Sequence, residues 1–228
     1  MFNVKNSNAG AGSSMSKVIA PGEHVCKINK VTLESPPYNK DAVSLVMHVE
    51  TEPLGENFEG FFIDKNNPDA GRYLGQIGRV KSSEYAYADG KTKSGVIISR
   101  DVELGRFLEN LLKIAGKEEF LNANEDNHDT AESYVKAMND QKVFDDVYFR
   151  FCIGGKEYLN KEGYTNYDLF LVKSSRGSYN MESVAKNPEA SSNFIKFDEA
   201  VHIKKKKTDV DSFGDVTTTS SVSSSFEL

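Results

Sequence analysis

Basic and aromatic residues alternate in three stretches of the sequence. The stretches are a proline-containing loop, the third predicted strand with the segment after it, and the last two predicted strands with their turn. They contain Tyr38, Lys40, Phe61, Lys65, Arg72, Tyr73, Arg79, Lys81, Tyr85, Tyr87, Arg150, Lys156, Tyr158, Lys161 and Tyr164. Cations follow the phosphates of a single nucleic-acid strand while exposed rings stack on its bases, at about 1–3 kcal/mol per base. The joint pattern predicts a nucleic-acid-binding surface, although each residue alone is more often an ordinary core or surface residue.

Motifs for catalysis are missing from the sequence. The four histidines lie at no metal-ligand spacing, and the chain contains no GxSxG, P-loop, HExxH or GxGxxG motif. A nuclease could assemble scattered carboxylates such as Asp64 and Glu157 with Lys65 or Lys156, but such pairs arise by chance in a chain that is 27% charged. We therefore expect a protein without catalytic residues, metal ligands or a cofactor.

Charge is unevenly distributed along the chain. The formal net charge of −6, taken alone, disfavours a polyanionic partner. Residues 208–228 hold four of the 34 acidic residues and no Lys or Arg, so 30 acids remain against the 28 basic residues. The rest of the chain is therefore close to neutral and can carry a basic face.

Composition separates a folded body from two polar ends. Residues 1–20 are rich in Asn, Gly, Ser and Ala, and residues 201–228 contain a four-lysine run at 204–207 and then Asp, Ser, Thr and Val. Such ends bury too little apolar surface to fold, so we expect a flexible arm, a body at residues 21–200 and a disordered acidic tail. The lysine run is either a phosphate-contacting patch or a solvated hinge. The tail can occupy a basic groove or dock onto partner proteins through Phe213 and Phe226.

Cysteine usage and hydropathy indicate the compartment. Cys26 and Cys152 form no CxxC motif, which favours buried thiols in a reducing environment. No apolar run approaches the roughly 20 residues that cross a bilayer, and the N-terminus lacks the apolar segment of a signal peptide. We therefore expect a cytoplasmic protein without a membrane partner.

Hydrophobic periodicity predicts three strands before the middle of the chain. They are residues 23–33, whose apolar pattern changes phase once as in a bulged strand, residues 43–49, and the short aromatic segment 58–63. Turn signals within residues 66–99 predict irregular structure with short strands or turns.

Helical spacing follows these strands. Asp101 is placed to cap a helix whose apolar residues repeat as far as Ala115, and Gly116 supplies its stop. Thr130 begins a shorter helix over residues 131–138, after a loop at 122–129. Alternation then predicts strands at 147–153 and 164–172 around a Gly154-Gly155 turn, and a further short strand at 194–197.

The order of these elements predicts a fold class that is mainly β with a helical insertion (α+β). Five strands with a helix between the third and fourth have the connectivity of an OB-fold, a small Greek-key barrel. Its usual cleft crosses strands 2 and 3 between the first and last hairpin loops, near the basic and aromatic stretches. A generic α+β sheet is the alternative, because periodicity alone does not exclude it.

Several segments carry a resemblance to a known family. APGEHVCKINKVTL at residues 20–33, SLVMHVET, the block at 71–90 and GGKEYLNKEGYTNYDLFLVKS together resemble bacteriophage single-stranded-DNA-binding proteins of the OB-fold type. The tail resembles the acidic, Phe-bearing C-termini of replication single-strand binders, but it is rich in Ser and Thr and ends in Leu228. The resemblance implies a protein that coats and protects DNA strands during phage replication and recombination in the host cytoplasm, without cofactor or catalysis. Replication or recombination proteins would then be partners of the tail.

Two other classes of function remain alternatives. A phage structural or assembly protein would use its strands for protein contacts, and a divergent DNA-processing nuclease would need a cluster of acids in a cleft. A groove with positive charge and outward Tyr or Phe favours DNA binding, whereas a flat apolar patch favours assembly.

Overall fold

The structure is a computed structural model that describes residues 16–124, 127–173 and 179–205. Within these residues the fold is mixed α/β and mostly sheet, with eleven strands and four helices. Most of the predicted N-terminal arm, the end of the lysine run and the tail with Phe213 and Phe226 lie outside the described residues.

Strands and helices are unevenly distributed along the chain. The strands are β1 (Gly22–Glu34), β2 (Ser44–Thr51), β3 (Phe61–Asp64), β4 (Asn67–Tyr73), β5 (Ile77–Lys81), β6 (Gly90–Lys91), β7 (Ile97–Ile98), β8 (Tyr148–Leu159), β9 (Thr165–Leu171), β10 (Met181–Ser183) and β11 (Ile203–Lys204). The helices are α1 (Arg100–Ala115), α2 (Glu118–Asn124), α3 (Ala131–Asp140) and α4 (Glu199–His202). Helices α1 to α3 therefore lie between β5 and β8 in the chain.

Five strands pair in a ring. The order β1-β2-β5-β9-β8 returns to β1, because β8 pairs with β1 as well as with β9. The pairing of β5 with β9 is parallel, and the other four pairings are antiparallel. Strands β10 and β11 add to the edge of β8 outside the ring.

Strand β1 bends so that it can serve two neighbours. Its register against β2 shifts between Ile28 and Lys30, which confirms the predicted bulge. Pairing of β1 with β8 ends at Lys27. Beyond that residue, the side chain of Asn139 from α3 hydrogen-bonds to the edge of β1 that β8 leaves unpaired. The amide of Asn139 donates to the carbonyl of Val31 at 2.8 Å, and its oxygen accepts from the Val31 N–H at 2.9 Å.

Inward side chains of the ring and the apolar stripe of α1 share one core. The buried residues of this core include Val31, Leu45, Met47, Val80, Phe149, Phe151, Ile153, Leu169, Leu171, Leu104, Phe107, Leu108, Leu111 and Leu112. The α1 members recur at helical spacing, as predicted, and therefore lie on one face of the helix. Side chains that alternate with the inward residues of β2 and β5 point away from the core. Among them His48, Arg79 and Lys81 are at least partly exposed.

The third predicted strand was assigned to the wrong segment. Residues 61–64 do form β3, but β3 pairs only with β4 in a separate two-stranded sheet. The third position of the ring belongs to β5, which lies in the stretch predicted to be irregular with short strands or turns. Its inward positions are Gly78 and Val80, and a Cβ on Gly78 would lie 2.4 Å from Ile19 Cδ1. Because β5 directs only one apolar side chain, that of Val80, into the core, its apolar residues alternate too little for the sequence to identify it as a strand of the ring.

The predicted Gly154-Gly155 turn lies inside β8 instead. Both glycines are buried, and their missing side chains let other groups approach the strand closely. A Cβ on Gly154 would lie 2.7 Å from the Phe170 ring, and one on Gly155 would lie 2.5 Å from Cγ of Pro21. The glycine pair therefore signals close packing, and the turn follows β8 at residues 160–163.

The helix and strand boundaries need three further corrections. Helix α1 starts at Arg100 with Ser99 as its N-cap, so Asp101 lies in the first turn, whereas Gly116 ends the helix at φ 73° as predicted. Helix α3 begins after Thr130 as predicted, and the Thr130 side chain caps it by accepting from the Ser133 N–H. Helix α2 was missed and includes part of the predicted loop. Residues 194–197 form no strand: Phe194 packs on the outer face of β8, and the extra strand there is β10.

Both cysteines are buried, as predicted, and neither is in a disulfide. Burial raises the pKa of the Cys26 thiol to about 12 and that of Cys152 to about 11. Both thiols are therefore neutral at physiological pH and pack as small apolar groups. None of the helices in the described residues is long and apolar enough to cross a membrane.

Replacing Asn139 with Ala should destabilise the fold by about 1–3 kcal/mol, because it leaves the N–H and carbonyl of Val31 without their partner. Urea unfolding followed by circular dichroism measures this loss. The control is Asn122→Ala on the exposed face of α2, which should change the free energy of unfolding by less than about 0.5 kcal/mol. Equal stability of the two variants would show that Asn139 does not hold β1.

Candidate nucleic-acid interface

A groove runs over the outer face of β2, β5 and β9. It has a volume of about 690 Å³. Strand alternation places Val46 and His48 of β2 in it, next to Arg79 and Lys81 of β5 and Asp168 of β9. Its remaining walls include Lys30 and Glu34 from the bent half of β1, Tyr73 from the end of β4, and Tyr158 from β8.

A second groove of about 510 Å³ continues the first. It lies between the β1–β2 loop, the segment after β5 and the β8–β9 hairpin, with Tyr38, Tyr85 and Lys156 on its walls. Both grooves share Glu34, Lys81, Tyr158 and Asp168 as lining residues, so they adjoin each other. We call the two together the long groove; it extends from Tyr73 to Tyr38 and Tyr85.

Tyrosine rings are spaced along the long groove. The side chains of Tyr38, Tyr85 and Tyr158 are 84%, 71% and 46% exposed, and Tyr73 is half-buried. The ammonium group of Lys17 lies 5.6 Å from the centre of the Tyr73 ring. Exposed rings of this kind offer flat apolar faces beside cations, which is the combination that holds unpaired bases.

Carboxylates neutralise two of the cations in the long groove. Arg79 forms an ion pair with Glu34, and Lys81 forms one with Asp168. Lys30 and Lys156 add two exposed ammonium groups. Glu84 and Glu157 also line the groove, so its four cations are matched by four carboxylates and the groove has no net charge with His48 neutral.

His48 lies in the middle of the groove floor. Its Nε2 is 3.1 Å from the hydroxyl of Thr32, and its register partners on the neighbouring strands are Lys30 and Arg79. Burial lowers the pKa of His48, and the positive charge of Arg79 lowers it further. The imidazole is therefore neutral at neutral pH.

The structure brings seven of the predicted residues together in the long groove: Tyr38, Tyr73, Arg79, Lys81, Tyr85, Lys156 and Tyr158. Phe61, Lys65 and Arg72 lie on or next to the β3–β4 hairpin, where Arg72 stacks 4.5 Å over the Phe62 ring. Lys40 is exposed in the β1–β2 loop, and Lys161 and Tyr164 are exposed at the tip of the β8–β9 hairpin. None of these six residues lines the long groove.

Tyr87 and Arg150 have structural positions instead. Tyr87 is only 8% exposed, and its hydroxyl lies 2.9 Å from that of Ser82 and 3.0 Å from that of Tyr179. Arg150 lies on the outer face of β8, where it donates to the carbonyls of Asn187 and Pro188 and pairs with Glu182. Neither side chain lines the long groove, so neither is placed to contact a nucleic-acid strand bound there. Residue type alone did not reveal their burial.

The charged and titratable groove residues that the predicted nucleic-acid site did not include are Lys30, Glu34, His48, Glu84, Glu157 and Asp168. Alternation in β2 could have identified His48, because it lies between two inward residues. The four carboxylates gave no signal, since acids are not expected as part of a nucleic-acid site.

In the part of the chain that the structure describes, no group of three or more His, Cys, Asp or Glu is placed to hold a metal ion. Comparisons of the chain with protein-family models, with curated proteins and with solved structures each return no match.

Lowering the pH from 7.5 to 5.5 should reduce the free energy of unfolding through His48. Its pKa in the folded state lies below the value of about 6.5 for an unfolded chain. Between those two values protons bind preferentially to the unfolded state, so the stability present above pH 6.5 is lost as the pH falls. His24, whose pKa is lowered by burial, contributes in the same direction.

Urea unfolding of the wild type and of His48→Gln at both pH values measures this effect. The variant should show the smaller loss of stability on acidification. An equal loss in both proteins would show that His48 does not titrate as its surroundings imply.

Proposed function

We propose that this chain binds single-stranded DNA with little sequence preference and coats exposed strands during phage replication and recombination. The observation that carries the proposal is the long groove, which is lined by the rings of Tyr73, Tyr158, Tyr38 and Tyr85 together with the cations of Arg79 and Lys81. The rings would stack on bases while the cations and Lys156 contact phosphates. The proposed role is binding without catalysis.

We also propose that the ring of strands is an OB-fold barrel. Its support is the pairing order β1-β2-β5-β9-β8, the parallel pairing of β5 with β9, and the helices between β5 and β8. In such a barrel the binding cleft crosses the second and third strands between the first and last hairpin loops. The long groove occupies the corresponding place here, over β2 and β5.

A single strand fits the long groove better than a duplex does. Exposed tyrosine rings gain their contacts from base faces, and in a duplex these faces are stacked on neighbouring base pairs. The groove floor consists of the outer face of β2, β5 and β9. Sequence preference should be weak, because every base offers a flat face.

A protein-contact role is the second candidate, and the β6–β7 hairpin favours it. Val96 and Ile97 are 61% and 74% exposed, and Ile98 and Val102 add exposed apolar surface next to them. Contiguous exposed apolar residues often mark protein interfaces. Such contacts are compatible with DNA binding, since these residues do not line the long groove.

Titration of a fluorescently labelled oligonucleotide tests the proposed function. The protein should bind a single strand much more tightly than the same sequence as a duplex, and the logarithm of affinity should fall linearly with that of the salt concentration. Equal affinity for both forms, or no binding at low salt, would contradict the proposal. In that case, a concentration-dependent assembly that is lost on Ile97→Ser would support the protein-contact role.

Alanine substitution of Tyr38, Tyr85 or Tyr158 should weaken single-strand binding, by about 1–3 kcal/mol for each ring that stacks on a base. Their exposure means that the free energy of unfolding should change little. Phe197→Ala is the control, because Phe197 packs against Cys152, Val172 and Phe194, away from the long groove. Unchanged affinity in all three tyrosine variants would show that the strand does not follow this groove.

A further inference from the structure

Two ion pairs occupy the centre of the long groove. Glu34 of β1 and Arg79 of β5 lie on opposite sides of β2, so their pair crosses over the face of that strand. Lys81 of β5 and Asp168 of β9 lie on adjacent strands. All four side chains line the groove and are partly exposed to solvent.

These carboxylates take the positions that phosphates would need. A carboxylate and a phosphate offer the same kind of charged acceptor oxygens to a guanidinium or ammonium group. Arg79 and Lys81 have one such partner each in the free protein. A nucleic-acid strand in the groove therefore has to displace Glu34 and Asp168 from these cations.

Given the proposed function, we infer that Glu34 and Asp168 are built-in competitors for the backbone phosphates. Each carboxylate forms an ion pair with one groove cation while the groove is empty, and this pair breaks when a nucleic-acid strand binds. The competition lowers the affinity for the strand and keeps binding reversible. It also makes binding less sensitive to salt, because a displaced carboxylate takes up a cation from solution and offsets part of the counterion release.

Neutralising the carboxylates distinguishes competition from a positioning role. If Glu34 and Asp168 compete, Glu34→Gln and Asp168→Asn should each tighten single-strand binding about two- to fivefold at low salt, as expected for loss of an exposed ion pair. The slope of log affinity against log salt should become steeper by up to about 0.7 per substitution. If the carboxylates instead orient Arg79 and Lys81 for phosphates, both substitutions should weaken binding.

Asp140→Asn is the matched control. Asp140 pairs with Lys136 on the exposed face of α3, and its substitution adds the same single charge outside the groove. The titration uses the full chain and a labelled oligothymidine at several salt concentrations, and urea unfolding confirms that each variant is folded. The inference predicts that Glu34→Gln and Asp168→Asn increase the affinity for the oligonucleotide by more than Asp140→Asn does.

Failure of the inference can be distinguished from failure of the proposed function. If the wild type binds the oligonucleotide and the two groove variants bind no better than Asp140→Asn, only the inference is overturned. If the wild type and the Glu34→Gln/Asp168→Asn double variant both fail to bind at low salt, the proposed function fails and the inference fails with it.

Discussion

The ring of strands depends on β1 pairing with two neighbours. Its first half lies against β8 as far as Lys27, and its pairing with β2 continues to Glu34 through the shift after Ile28. Where β8 no longer flanks β1, Asn139 supplies the hydrogen bonds that a strand would have made to Val31. Because an unpaired buried backbone group costs about 1–3 kcal/mol, this contact allows the bend and fixes α3 to the ring.

The bend in β1 also sets the geometry of the long groove. It carries Lys30 and Glu34 alongside β2, within reach of Arg79 on the strand beyond. The parallel pairing of β5 with β9 then brings Asp168 to Lys81. The site is consequently assembled from several strands and the loops at their ends, and no single stretch of sequence contains it.

Local periodicity predicted the elements that bury a regular set of side chains, and it failed where packing comes from elsewhere. The strands β1, β2 and β9 and the helix α1 were recognised because their apolar residues repeat. Strand β5 was not recognised as a member of the ring, because Ile19, from a distant part of the chain, fills the space above Gly78. Tyr85 and Tyr87 are two residues apart, yet only Tyr85 is exposed, because the backbone of Tyr87 pairs with that of Val43 and its side chain packs in the core. Glu34 pairs with Arg79 and Asp168 pairs with Lys81, and these partners are 45 and 87 positions apart in the sequence. No local pattern encodes contacts between residues so far apart.

The balance between stacking and charge bears on how the proposed binder distinguishes unpaired from paired DNA. A duplex carries more charge per unit length than a single strand, so a groove acting through cations alone would favour the duplex. Pairing of Arg79 with Glu34 and of Lys81 with Asp168 reduces that electrostatic attraction for either form of DNA. The contribution of the tyrosine rings is not reduced, and it is available only to unpaired bases. A nearly neutral groove lined with exposed rings therefore selects single strands more sharply than a strongly basic groove would.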